Sequence, residues 1–128
     1  MLTKLAIVTI LVRDQDEALR FYTEKLGLEK KDDMSFGNER WLTVAAPQQK
    51  DLEIFLGRAD SFGMDLMAHV GQAPAWAFST DNCQETYQTL SARGVKFSST
   101  PKEKPYGIEA VFEDLYGHTF AMVQEPSE

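Results

Sequence analysis

The stretch EDLYGHTFAMV, Glu113 to Val123, sets two acidic residues, a glycine turn and His118 directly in front of an apolar run. A carboxylate and an imidazole this close together are the ingredients of catalytic proton transfer. They are equally the ingredients of a hydrogen-bonded turn that only delivers a strand. The remaining group with nucleophilic chemistry is the single cysteine, Cys83. No histidine stands near it in sequence to take its proton, so it reads as a small filler near a helix start. One thiol also excludes an internal disulfide framework and a zinc–thiolate centre.

The spacing of apolar residues indicates what must hold these groups. LAIVTILV reads as a strand, and Asp14 caps the helical stretch QDEALRFYTEKLG, in which Ala18, Phe21, Tyr22 and Leu26 recur at helical spacing before Gly27 ends it. The same plan returns later: AWAFST is strand-like, Asp81 or Asn82 caps, and CQETYQTLSARG runs to Gly94. Asp81 to Gly94 spans the same thirteen positions as Asp14 to Gly27, the mark of an internal repeat. Three strand-like segments follow each helix: SFG, RWLTVAA and DLEIFLG, then VKFS, IEAVFE and HTFAMVQ. The expected organisation is one domain made of module 1 (1–58), a linker (59–73) and module 2 (74–125). The linker region has no clean period, and the QEPSE tail is polar and expected to fray.

Bulk properties bound the function. With 128 residues, 43% hydrophobic and 26% charged, the chain is expected to be a soluble globular domain. The apolar run from Leu5 to Val12 is too short to span a bilayer and lacks a cleavage site, so the cytoplasm is the expected compartment. A net charge of −7 disfavours nucleic acid and anionic membranes as partners. A neutral or cationic small molecule is the more natural one.

The plan, together with ILVRDQDEALRFYTEKLGL, STDNCQETYQTLSARGV and FEDLYGHTFAMVQ, resembles the vicinal oxygen chelate superfamily of glyoxalases, bleomycin-resistance proteins and extradiol dioxygenases. The resemblance covers nearly the whole chain. It implies an α+β fold of two βαβββ modules whose curved mixed sheets form a cleft, usually in a homodimer. In metal-dependent members four ligands, typically His, Gln or Glu, come from four strands and face that cleft.

Carried over residue by residue, the four ligand positions fall at Ile7, Glu53, Ala75 (Trp76 if the register slips by one) and Ala121. Only Glu53 has a lone pair to give, and one carboxylate holds a divalent ion weakly. His69 lies in the linker and His118 in the turn, each read as a solvated or locally hydrogen-bonded side chain. No metal or other cofactor is therefore expected.

The same ligand positions imply which side chains line the cleft, because strand neighbours alternate. They are Leu5, Ile7, Thr9 and Leu11 on the first strand, Ala75, Ala77 and Ser79 on the second module's first strand, and Thr119, Ala121 and Val123 on the last. Thr9, Ala75, Ala77, Ser79, Thr119 and Ala121 are small, which leaves room for a ligand or for a partner subunit's packing. Trp41, Thr43 and Phe55 are expected on the cleft side, Phe36 and Tyr106 at its rim, and Phe112 is ambiguous. The expectation is a non-catalytic binding protein of the bleomycin-resistance type that sequesters a bulky, partly aromatic compound such as an antibiotic. The alternative is a lyase, isomerase or dioxygenase using Glu53 as base or metal ligand.

Overall fold

Asp14 and Asn82 start the two helices in the same way. Each is extended (φ −135° and −147°) and accepts the backbone N–H three residues on, from Glu17 at 2.9 Å and Glu85 at 3.0 Å. One orphan donor of each first turn is thereby satisfied. The computed structural model describes residues 1, 3–58 and 76–126, so the expected linker, His69 and Ala75 lie outside the described residues.

The chain divides into two compact units, Met1–Val70 and Gly71–Glu128. In the first, β1 (Ile7–Val12), α1 (Gln15–Arg20, continued by a wider turn Phe21–Lys25), β2 (Glu29–Phe36), β3 (Glu39–Ala45) and β4 (Glu53–Arg58) build a sheet in the order β1-β4-β3-β2. In the second, β5 (Trp76–Ser79), α2 (Cys83–Ala92), β6 (Lys96–Lys104), β7 (Gly107–Glu113) and β8 (Thr119–Gln124) repeat it as β5-β8-β7-β6. Both sheets are mixed: β1 runs parallel to β4 and β5 to β8, while the remaining pairs are antiparallel. The α+β class and the repeated strand, helix, three-strand plan are those expected from the sequence. No helix among the described residues is long and apolar enough to cross a membrane.

Both helices end on glycine. Gly94 (φ +90°) lets the Val95 N–H reach Leu90 O at 3.0 Å and its own N–H reach Ser91 O at 3.0 Å, which folds buried Val95 back toward buried Leu90. In the first unit the Leu26 N–H bonds five residues back to Phe21 O at 3.2 Å. Within that wider turn the neighbouring Phe21 and Tyr22 are both buried, with their rings edge to face at 5.5 Å.

Alternation places Ile10, Val12, Leu42, Val44, Ile54 and Leu56 in the first core with Ala18, Phe21 and Tyr22 of the helix. Two strands are much longer than the sequence signal. The expected SFG strand begins at Glu29, and the expected VKFS strand runs on to Lys104. Both are edge strands, and β2 is exposed along its whole length. Pairing with one neighbour, not a buried face, defines them, so charged sequences and even Pro101 fit while leaving no apolar alternation to read.

Two polar side chains tie α1 to the sheet. Buried Gln15 donates from Nε2 to Leu56 O at 2.9 Å and Arg40 O at 3.0 Å. Arg40 grips Asp33 with two bonds of 2.8 Å and reaches Asp16 at 2.7 Å. The Arg40 hydrogen bonds hold the Asp33 carboxyl below the ordinary carboxylate range, against a smaller opposing effect of burial. A depressed native pKa contributes stability that is complete above the unfolded value, about 3.9, and is lost as pH falls through the native value. Acid titration of Arg40→Met should lack this step. Because both partners remain in contact with water, the difference at pH 7 should be at most about 1 kcal/mol, measured by urea unfolding at pH 7 and below pH 3.

Candidate functional site

The strand residues that turn away from the helix form one surface in each unit. In the first unit, pairing sets Ile7 beside Glu53, Thr9 beside Phe55 and Leu11 beside Gly57, with Thr43 across from Phe55. Trp41 is two residues before Thr43 on β3, and β2 places Met34 beside Trp41 and Phe36 beside Glu39. The structure thus brings Thr9, Trp41, Thr43, Glu53 and Phe55 onto one helix-free face. Phe36 lies on that side at the end of β2, 60% exposed.

Trp41 and Phe55 stack with centroids 4.5 Å apart and planes inclined by 21°. Such a pair is worth about 0.5–1.5 kcal/mol beyond its area. Gly57 makes the arrangement possible, because a Cβ there would lie 2.6 Å from Phe55 Cε2 and 2.9 Å from Cζ. The phenyl ring therefore lies along the strand over Gly57. The sequence reading picked out both rings and missed this glycine, although a glycine inside a strand run is the usual sign of a close approach. Gly57→Ala is expected to rotate Phe55 away from Trp41 and cost about 1–2 kcal/mol, seen as a changed tryptophan emission and near-UV circular dichroism together with a lower urea midpoint.

Beside the rings, fully buried Thr43 donates its hydroxyl to Glu53 Oε1 at 2.6 Å and accepts the Asp32 N–H at 3.1 Å. A local chain of hydrogen bonds therefore orients the Glu53 carboxylate.

The second unit is built differently. Its helix side is a ring cluster: Phe120 lies 6.4 Å from Trp76, 5.7 Å from Phe78 and 5.6 Å from Phe112, with Phe97 5.7 Å from Phe112. Phe112, expected as a candidate ligand contact, is corrected to a core residue at 2% exposure. Its direct cross-strand partner is buried Phe120, and this pairing settles the alternation that the sequence left ambiguous. The helix-free face carries Ala77 beside Ala121, Ser79 beside Val123, and Val111 across from Ala121. Ala77, Ser79 and Ala121 are its small side chains.

Glu109, across from Val123, adds the carboxylate of this face. The sequence reading did not name it, though the alternation of IEAVFE carries the signal. Tyr106, 53% exposed in the turn before β7, hydrogen-bonds to Glu109, which pushes its phenol up, with burial and the carboxylate's charge adding to the effect.

Of the two alternatives for His118, the structure shows the locally hydrogen-bonded one, at 2% exposure. Its Nδ1 pairs with Asp114 Oδ2 at 2.6 Å, while Asp114 Oδ1 accepts the backbone N–H groups of Tyr116 and His118 at 2.9 and 2.8 Å. Gly117, at φ +89°, closes the turn. The acid and imidazole of EDLYGHTFAMV thus satisfy one another inside the turn that launches β8. Cys83 is fully buried at the start of α2, and burial, followed by the charge of Glu109, pushes its thiol up. That environment suits packing, not nucleophilic attack.

The residues at the expected metal positions do not fit a metal. Ile7 and Ala121 offer hydrocarbon, and Glu53 offers one carboxylate with an oxygen already engaged by Thr43. Among the described residues no group of three or more His, Cys, Asp or Glu side chains is placed to hold an ion.

Comparison with known proteins gives the fold its relatives. The family model described as Glyoxalase/Bleomycin resistance protein/Dioxygenase superfamily matches residues 4–122. The YurT protein of Bacillus subtilis (strain 168) is 34% identical over 128 residues, covering 95% of this chain and 99% of that protein. The crystal structure of UcmS2 is 36% identical with a TM-score of 0.87, covering 98% of this chain and 100% of that one. That of TnmS3, described as an antibiotic binding protein from Streptomyces sp. CB03234, is 26% identical with a TM-score of 0.83 over 98% of each chain.

Proposed function

We propose, from the premise that the chain belongs to the Glyoxalase/Bleomycin resistance protein/Dioxygenase superfamily, that it is a metal-independent binding protein that sequesters a bulky, partly aromatic small molecule such as an antibiotic. The observation that carries this reading is the stacked Trp41–Phe55 pair on a helix-free sheet face. Half-buried Trp41, backed by buried Phe55, offers ring area and polarisability to a conjugated ligand and asks for no reaction. The small side chains at Ala77, Ser79 and Ala121 support it, since a face meant only to be filled is expected to carry large apolar residues. The likeness to TnmS3 points the same way. Sequestration acts by mass action alone, lowering free ligand in proportion to protein present.

The working form under this reading is a cytoplasmic homodimer. Of the four edge strands, β1 and β5 carry no charged side chain, whereas β2 and β6 are rich in charge. Uncharged edges are suited to pairing and charged ones resist it. Titrating planar aromatic antibiotics while following tryptophan emission tests the binding. Saturable quenching at micromolar ligand or below is expected, and a flat response across a chemically broad set refutes the reading.

A further inference from the structure

We infer that the first unit reads a hydrogen-bond donor, an N–H or O–H, on the edge of a planar ring system that lies against half-buried Trp41, whose ring is backed by buried Phe55. The inference rests on the proposed binding role and names the chemistry that role selects.

Its basis is the fixed polarity of one hydrogen-bond chain. The Asp32 N–H can only donate, so the Thr43 oxygen accepts there at 3.1 Å. Thr43 has a single proton, and it goes to Glu53 Oε1 at 2.6 Å. Were Glu53 protonated and donating to Thr43, the hydroxyl proton of a fully buried side chain would need another acceptor, and the hydrogen bonds made by Thr43 run only to Asp32 and Glu53 among the described residues. The chain therefore fixes Oε1 as an acceptor and orients the carboxylate, whose Oε2 makes no hydrogen bond among the described residues and is the oxygen left for a ligand's donor.

The carboxylate is also correctly placed. Glu53 and Phe55 lie on the same side of β4, two residues apart, about 7 Å along the strand. That is roughly the distance from the middle of a three-ring system to the acceptor of a hydrogen bond from a substituent on its end ring. A ring stacked on Trp41 and carrying an amine, aniline or phenol satisfies Oε2. One carrying an ether or carbonyl there sets lone pair against lone pair and leaves the carboxylate unpaired, which a desolvated site penalises heavily. In this scheme Thr43 is a positioning residue: it touches no ligand and aims the group that does.

Equilibrium dialysis of the full chain against three probes of matched shape tests this: 2-aminoanthracene, 2-anthracenylmethylammonium and 2-methoxyanthracene. Both donor probes should bind at least tenfold more tightly than the methoxy probe. Glu53→Gln, which can turn an amide N–H toward the ligand, should shrink that gap below threefold or invert it. Thr43→Val should narrow the gap, and Thr43→Ser, which keeps the hydroxyl, should restore it, a pattern that a merely structural threonine does not produce. Equal binding of all three probes by the wild type overturns the inference and leaves the binding role standing. A gap that survives in Glu53→Gln overturns it as well, and so does a preference for the ammonium alone, which marks charge and not donor geometry. Binding of none of the probes removes the inference together with the role it rests on.

Discussion

Asp114→Ala is expected to destabilise the protein by about 3 kcal/mol and to lower its melting temperature by about 12 °C for a domain of this size. The carboxylate takes the backbone N–H groups of Tyr116 and His118 on Oδ1 and the His118 ring on Oδ2. Alanine strands all three, and His118 is too deeply buried to turn to water. Asp114→Asn separates charge from geometry. Its Oδ1 still takes both backbone N–H groups and its amide can donate to His118 Nδ1 in the other tautomer, so the cost should fall to about 1 kcal/mol. Thermal unfolding of the two variants side by side measures the difference. Equal losses would mean that the turn depends on the charge itself. Because β8 leaves this turn carrying Ala121, its integrity also sets the small-residue face of the second unit.

Trp41→Ala should weaken binding of a planar aromatic ligand by about 30-fold, or about 2 kcal/mol, the scale of a central aromatic anchor. The loss has two parts. The ligand forfeits the indole face, and Phe55 forfeits the ring that keeps it flat over Gly57. Trp41→Phe retains a ring at the same place and should cost less than tenfold. Calorimetric titration of both variants checks the order, with far-UV circular dichroism confirming that the sheet is intact. Affinity within threefold of wild type in Trp41→Ala would take the ligand off this face.

Much of this architecture was readable because burial imposes a period. The cores at Ile10 and Val12, at Leu42 and Val44, and at Phe120 and Met122 follow strand alternation, and Asp14, Gly27 and Gly94 mark helix ends by chemistry that only a few residue types perform. What escaped reading lacked that constraint. Glu29–Lys31 and Lys102–Lys104 are strand by pairing alone, on edges where any soluble sequence is tolerated. Phe112 was ambiguous because its face depends on the partner across the ladder, and a sequence lists no partners. His118 could be read as solvated or as locally hydrogen-bonded, because its burial is made possible by a carboxylate folded back onto it. At the candidate site, residue types and faces followed from alternation for Trp41, Thr43, Glu53 and Phe55. The stacking over Gly57 and the direction of the Asp32–Thr43–Glu53 chain are three-dimensional facts that no spacing encodes.

The central claim is binding without chemistry, and one measurement bears on it most directly. The protein is incubated with a tenfold excess of a planar aromatic antibiotic that quenches its tryptophan emission, and the ligand is recovered after denaturation and weighed by mass spectrometry. The account predicts that every recovered molecule has its original mass, however long the incubation. Conversion of more than one equivalent per chain, lost in Glu53→Gln, would contradict it and make the protein an enzyme.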